Sequence, residues 1–220
     1  MTACVPDIFT DIKKLRLPAT AYIFGSGPNG VGHYENVPRD ACCLALNSAI
    51  NMDRDFDWWM AFDLGVMRYK WWAPLDTGKA KLLFGHRLAD KALEERPVRH
   101  RPDYSFKYRP TLTHCYKNGR AKKGSVPLFP GRLRGAVSIA GCAVQFLHFA
   151  GVKTIVLVGC DMMGEGHWDG QINPGQEGVW AIAPRLSWLC NWISRHAGTQ
   201  IVSLSETALS VPIVTQDSLL

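Results

Sequence analysis

The feature that most constrains the fold of this chain is a set of short, uninterrupted runs of apolar and β-branched residues. The clearest is Thr154–Val158, which ends in the sequence Gly-Cys-Asp at 159–161. Four similar runs lie at residues 20–24, 40–46, 57–62 and 200–204. Strands that are apolar at every position are typical of a parallel sheet covered on both faces. These runs therefore predict the strands of a mostly parallel sheet.

Two helix candidates lie between the predicted strands. Residues 138–149 carry apolar side chains at the helical period, with Ser138 placed to cap the N-terminus and Gly151 to end the helix. Residues 179–196 carry several tryptophan and leucine side chains that fall mostly on one face, which favours core packing for the tryptophans. This order of elements predicts an α/β fold: a Rossmann-like, mostly parallel sheet with helices on both faces.

The length of 220 residues suits one domain, within which the segment 68–134 stands apart. This segment is irregular and rich in proline, with at least one predicted strand, at 81–84, one predicted short helix at 87–95, and long loops. It holds 17 Lys and Arg against 5 Asp and Glu, whereas the whole chain holds 25 against 19. We therefore expect a single α/β domain over residues 1–220 with a basic insertion at about 68–134.

The basic excess of this insertion predicts a surface that faces a polyanion. A phosphorylated sugar, a lipopolysaccharide or a nucleic acid would each fit such a surface. The alternative is a solvated surface that binds nothing.

Cysteine usage and the absence of targeting patterns indicate a reducing compartment. The 7 cysteines form no CxxC pair, and several lie in apolar runs where a thiol behaves as a small hydrophobic group. No run approaches the roughly 18 apolar residues of a membrane span, and the N-terminus lacks the pattern of a secretion signal. We expect a cytoplasmic protein with no membrane span.

A glycine loop follows the first predicted strand. Residues 25–30, Gly-Ser-Gly-Pro-Asn-Gly, satisfy the G-x-G-x-x-G pattern in the context where it predicts phosphate binding by backbone N–H groups. Asn47 takes the place at the end of the second strand where dinucleotide sites carry an acidic residue, which argues against a dehydrogenase. A structural turn is the alternative. The residues expected to contact a nucleotide here are Gly25, Ser26, Gly27, Asn29 and Asn47.

Three further positions are candidates for chemistry. Ser138, at a helix N-terminus, predicts either an anion site or a plain N-cap. Asp161 follows a strand at the carboxyl end, where open α/β sheets bind ligands, so it is expected to hold a sugar hydroxyl or a divalent metal. His167 lies among glycines and is a candidate general base, the alternative being an exposed loop histidine. Asp63, at the end of the third strand, belongs to the same rim.

Two catalytic motifs are missing. The sequence has no GxxxxGK[ST] loop, which excludes a P-loop kinase or ATPase. It also has no G-x-S-x-G nucleophile elbow, which leaves hydrolase functions poorly supported.

Two blocks of the chain carry a family resemblance. The first is Tyr-Ile-Phe-Gly-Ser-Gly-Pro-Asn-Gly at 22–30, followed by Leu-Ala-Leu-Asn at 44–47; the second, 138–161, contains the capped helix and Ile-Val-Leu-Val-Gly-Cys-Asp. Together they cover about half of the chain and resemble the bacterial CMP-sialic-acid-dependent sialyltransferases that build lipo-oligosaccharides. They also resemble the 6-hydroxymethylpterin pyrophosphokinase family.

Both families are Rossmann-like and hold a nucleotide or pyrophosphate across the loop and the helix start. The resemblance implies that Ser138 lies near the phosphate and that Asp161 lies near the donor sugar or a metal. It also implies contacts to the donor nucleotide from Gly25, Ser26, Gly27 and Asn47.

Three functions remain open at this point. The first is a glycosyltransferase that moves a sugar from a CMP-sugar-like donor to an anionic acceptor on the basic segment, with His167 as the base and no required cofactor. The second is diphosphate transfer from ATP to a pterin-like alcohol, with Mg²⁺ held by Asp161 and Asp63. The third is a non-catalytic module that binds nucleic acid through the basic segment.

Overall fold

The structure of the protein is a computed structural model. The residues that it describes are 7–62, 79–85, 113–116, 128, 131–133, 138–163, 166–170 and 181–219.

Seven parallel strands form one sheet in this part of the chain. They are β1 (Thr20–Phe24), β2 (Cys42–Leu46), β3 (Trp58–Ala61), β4 (Lys81–Gly85), β5 (Thr113–Tyr116), β6 (Thr154–Val158) and β7 (Gln200–Ser203). Their order across the sheet is β5-β4-β3-β2-β1-β6-β7, and every neighbouring pair is parallel. The predicted α/β class with a parallel sheet is confirmed.

Helical elements cover both faces of the sheet. On one face, here called the helical face, strand residues such as Ile23 and Leu157 pack with the α-helices α1 (Ile8–Asp11), α2 (Ile139–Phe149) and α3 (Ala183–His196). On the other, here called the turn face, residues such as Phe24 and Val158 pack with 3-10 turns, including Asn47–Asn51. Alternate residues of each strand therefore enter two different cores, which explains why the runs are apolar throughout.

The direction of the chain along the sheet decides which face each connection covers. From β1 to β3 each new strand is added on the side of the sheet that ends in β5, and residues 34–56 cross the turn face. From β5 to β7 the chain moves the other way, and α2 and α3 cross the helical face. Right-handed crossovers require this arrangement, because connections in opposite directions must cover opposite faces. The reversal places a topological switch point between β1 and β6.

Helix α2 is fixed at both ends as the sequence predicts. Ser138 Oγ accepts a hydrogen bond from the Ala140 amide at 3.2 Å, and Gly151, with φ 89°, ends the helix. In its middle, Phe146 packs edge-on against the fully buried Trp58 with ring centroids 5.1 Å apart. These contacts hold α2 across β1, β2 and β3.

The segment 68–134, predicted to hold at least one strand, contributes two to the main sheet: the predicted β4, and β5, which pairs with β4 although its sequence, Thr-His-Cys-Tyr, is short and partly polar. One prediction about the fold needs correction. Trp188 on α3 is 42% exposed, since the buried stripe of that helix is formed by Leu186, Leu189 and Ile193. The predicted helix at 87–95, Trp180 and most of the basic residues of the segment lie outside the described residues.

Among the described residues, no helix is long and apolar enough to cross a membrane.

Candidate functional site at the carboxyl edge of the sheet

The glycine loop lies at the switch point, bonded to the end of β6. Register pairs Phe24 of β1 with Ala45 of β2 and with Val158 of β6, so β1 and β6 end at the same level and β2 ends one residue later. Beyond this level the Gly25 amide donates to the Val158 carbonyl at 2.8 Å, and the Gly27 amide donates to the Gly159 carbonyl at 2.8 Å. Open α/β sheets bind ligands at this position, beyond the carboxyl ends of strands at a switch point.

The glycines of the loop are required by its close approach to the end of β6. A Cβ on Gly25 would overlap the Gly159 carbonyl, and a Cβ on Gly27 would overlap the Asp161 carboxylate. A Cβ on Gly30 would lie 2.7 Å from the Gly159 Cα. The reason for the pattern therefore differs from the expected one, because these positions face another segment of the protein.

Most of the loop amides already have acceptors within the protein. Besides those of Gly25 and Gly27, the Asn29 amide donates to Asp161 Oδ2 at 2.7 Å, and the Gly30 amide donates to the Gly27 carbonyl at 3.3 Å. Ser26 differs, since neither its amide nor its hydroxyl has a hydrogen-bond partner among the described residues. Among the described contacts of the loop, Ser26 is therefore the residue whose N–H and hydroxyl donors are left for a phosphate.

The Asp161 carboxylate anchors the glycine loop to the end of β6. The side chain is buried, with 4% exposure, and its Oδ1 lies 3.5 Å from the hydroxyl of the fully buried Ser205. Ser205 Oγ also accepts from the Gly159 amide at 3.0 Å. The carboxylate thus links the ends of β6 and β7 to the amide of Asn29, a structural role that the sequence did not indicate.

His167 lies beside the loop because its neighbour is bonded to it. The Trp168 amide donates to the Ser26 carbonyl at 2.8 Å, and the Trp168 ring packs against the turn face. His167 is half-buried, and this burial lowers the pKa of its imidazole, although the nearby Asp169 carboxylate acts in the opposite direction. A lowered pKa keeps the imidazole neutral at pH 7, as a general base requires.

Strained backbone lies on either side of β1 at this edge. Asn47 and Met162, which follow the ends of β2 and β6, have φ values of 48° and 55°. Residues with side chains seldom adopt this left-handed conformation, and such outliers cluster at functional sites. The Asn47 conformation is held by a 2.9 Å hydrogen bond from Trp59 Nε1 to its carbonyl.

Two buried donors near the loop have no hydrogen-bond partner among the described residues. One is the hydroxyl of Ser48, which is 1% exposed and follows Asn47; the other is the indole Nε1 of Trp168. The sequence offered a signal for each, since Ser48 stands at the end of β2 and Trp168 adjoins a candidate base. No comparable signal marks Ser205, whose role depends on the crossing of β6 and β7.

Ser138 lies at the same edge of the sheet without a described contact to the loop. Helix α2 runs antiparallel to the strands, from the carboxyl edge of the sheet to the start of β6. Its N-terminus therefore lies at the same edge of the sheet as residues 25–30. The side chain acts as an N-cap, and the turn that it caps still presents backbone N–H groups at its end. Both interpretations of Ser138 are therefore compatible with its position.

The metal site expected for diphosphate transfer is half outside the described residues. Asp63 is not among them, and Asp161 is bonded to the Asn29 amide. Within the described ranges no group of three or more His, Cys, Asp or Glu side chains could hold a metal ion.

Comparisons of the chain with protein-family models, with curated proteins and with solved structures found no match. The resemblances carried by the two motif blocks therefore stay predictions. The function is inferred from the groups at the carboxyl edge of β1, β2 and β6.

Proposed function

We propose that the protein is a glycosyltransferase whose nucleotide-activated donor, a CMP-sugar or a close analogue, binds at the carboxyl edge between β2, β1 and β6. The observation that carries the proposal is the hydrogen bond from the Trp168 amide to the Ser26 carbonyl. It holds His167, a half-buried histidine of lowered pKa, beside Ser26, whose amide and hydroxyl have no partner among the described residues, at the switch point of the sheet.

The reaction follows from the placement of these groups. His167 removes the proton from an acceptor hydroxyl, whose oxygen then bonds to the anomeric carbon of the donor sugar. The bond from that carbon to the phosphate oxygen breaks, and the nucleotide leaves with the negative charge. The Ser26 amide and hydroxyl, with the N–H groups at the start of α2, stabilise this charge, which is the largest contribution in many enzymes.

The remaining candidate residues have supporting roles in this proposal. Asp161 is a positioning residue, because it holds Asn29 and through it the loop. Asn47, at the end of β2, contacts the nucleoside. The anionic acceptor binds the basic segment 68–134, whose charge favours it.

A thermal-shift series with CMP, UDP, GDP and ATP, each with and without Mg²⁺, tests the proposal. We expect CMP to raise the melting temperature without metal, since a ligand at 100 times its Kd stabilises a protein by about 2.7 kcal/mol. Stabilisation by ATP and Mg²⁺ alone would contradict it and support diphosphate transfer. No response to any nucleotide, together with salt-sensitive binding of DNA, would contradict it and support a nucleic-acid-binding module.

A further inference from the structure

The two unpartnered donors lie at the carboxyl edge of two adjacent strands, β1 and β2. Ser48 follows the end of β2, and the next residues, Ala49 and Ile50, pack on the turn face. Trp168 packs on the same face and is bonded to Ser26, which follows the end of β1. Because β1 and β2 are adjacent and end within one residue of each other, both donors lie at the carboxyl edge of these two strands.

Leaving these atoms without partners is costly. A buried donor with no acceptor destabilises a protein by about 1–3 kcal/mol, and native structures hold few such groups. Asn47 adds a third polar group at this edge, because its half-buried side-chain amide has no hydrogen-bond partner among the described residues. Its strained backbone is a further sign of function.

We propose that Asn47, Ser48 and Trp168 form a ribose-recognising subsite for the nucleoside part of the donor, an inference that rests on the proposed function. Ser48 Oγ and Trp168 Nε1 bond to the ribose hydroxyl oxygens, and the Asn47 amide contacts the base. An indole N–H only donates, so its partner must be an acceptor, whereas a serine hydroxyl and a ribose hydroxyl each donate and accept. The end of the second strand is also where nucleotide-binding sheets hold ribose hydroxyls.

Both donors are shielded from solvent, so the ribose reaches them when the segment 166–170 moves away from the turn face. Glycines bound this segment, and Gly166 and Gly170 have φ values of 106° and 75°. The bond between Trp168 and Ser26 then re-forms over the ligand. The donor is thereby enclosed beside His167 before the chemical step.

The test compares CMP with 2′-deoxy-CMP and 3′-deoxy-CMP by calorimetry on the full-length wild type, Ser48→Ala and Trp168→Phe. We expect wild type to bind at least one deoxy analogue about 3- to 10-fold more weakly than CMP, the usual effect of one hydrogen bond. Each variant should lose a similar factor for CMP and lose less or none for that analogue. Ser48→Ala should melt no lower than wild type, because it removes an unpartnered buried hydroxyl.

Two controls match the substitutions. Ser210→Ala removes an exposed hydroxyl, and Trp188→Phe alters an exposed indole on α3, so both should leave CMP affinity unchanged. Equal binding of CMP and both deoxy analogues, or variants that bind CMP like wild type, would overturn the subsite while leaving the proposed function intact. Failure of wild type to bind any of CMP, UDP, GDP or ATP would overturn both.

Discussion

His167 is the residue whose ionisation controls the proposed reaction. Its burial disfavours the charged imidazolium and lowers its pKa below the ordinary value of 6.5, and Asp169 opposes this shift. The neutral form is the one that accepts a proton, so the lowered pKa extends the active form toward acid.

Replacement of His167 by alanine should abolish turnover and leave nucleotide affinity unchanged. In wild type, kcat/KM should fall on the acid side with a midpoint below pH 6.5, because burial lowers the pKa of the base in the free protein. Steady-state kinetics across pH, combined with calorimetry for CMP, would measure both effects.

His33→Ala is the matched control, since that side chain is exposed and lies on the connection between β1 and β2. It should retain full turnover. If His167→Ala keeps turnover as well, the base lies elsewhere in the protein.

The contact between the glycine loop and the end of β6 is the structural unit on which the site depends. Two backbone hydrogen bonds and the Asp161 carboxylate join the loop to the end of β6. The two segments lie so close together that a side chain in place of a loop glycine would overlap the end of β6. These glycines are thus required first for the packing of the loop against the end of β6, rather than for backbone access to a phosphate.

Gly27→Ala should therefore destabilise the protein even with no nucleotide present. Its methyl group would overlap the buried Asp161 carboxylate, and such overpacking costs about 3 kcal/mol. Gly32→Ala serves as the comparison, because nothing lies within 4 Å of its Cβ position and only its φ of 85° opposes substitution, at about 1 kcal/mol. Urea unfolding measures both, and equal losses would show that the described contact is wrong.

The buried cysteines of the core behave as hydrophobic groups. Five cysteines are buried and outside any disulfide: Cys42, Cys43, Cys142, Cys160 and Cys190. Burial raises the pKa of Cys42, Cys43 and Cys190 to about 12, so their thiolates are scarce in the folded protein. Unfolded thiols ionise near 9, so this contribution to stability is complete below pH 9 and is lost as pH rises toward 12.

These five thiols should stay unreactive toward a disulfide reagent at pH 8 in the native protein and react upon denaturation. The side chains are shielded from the reagent, and burial also raises the pKa of Cys42, Cys43 and Cys190, which keeps those thiols protonated. A spectrophotometric titration in the Cys4→Ser, Cys115→Ser background measures them without the other two cysteines. Rapid labelling of that variant under native conditions would contradict the closed core described here.

The sequence by itself determined most of the sheet, with β5 the strand that it did not locate. Strands β1 and β6 match the predicted runs at both ends, and α2 begins and ends at its predicted caps, because continuous apolar runs and capping residues are local signals. It also indicated Ser26, Asn47, Asp161 and His167, since motifs and strand ends can be located along the chain.

Only the tertiary structure decided what these residues contact. The occupied amides of the loop, the clamp from Asp161 to Asn29 and the unpartnered hydroxyl of Ser48 all arise where β1, β2 and β6 converge. Residues 132 positions apart meet there, as in the bond between Asn29 and Asp161. Strand pairing and the reversal of chain direction across the sheet bring such groups together. A sequence pattern does not show which amide donates to which acceptor.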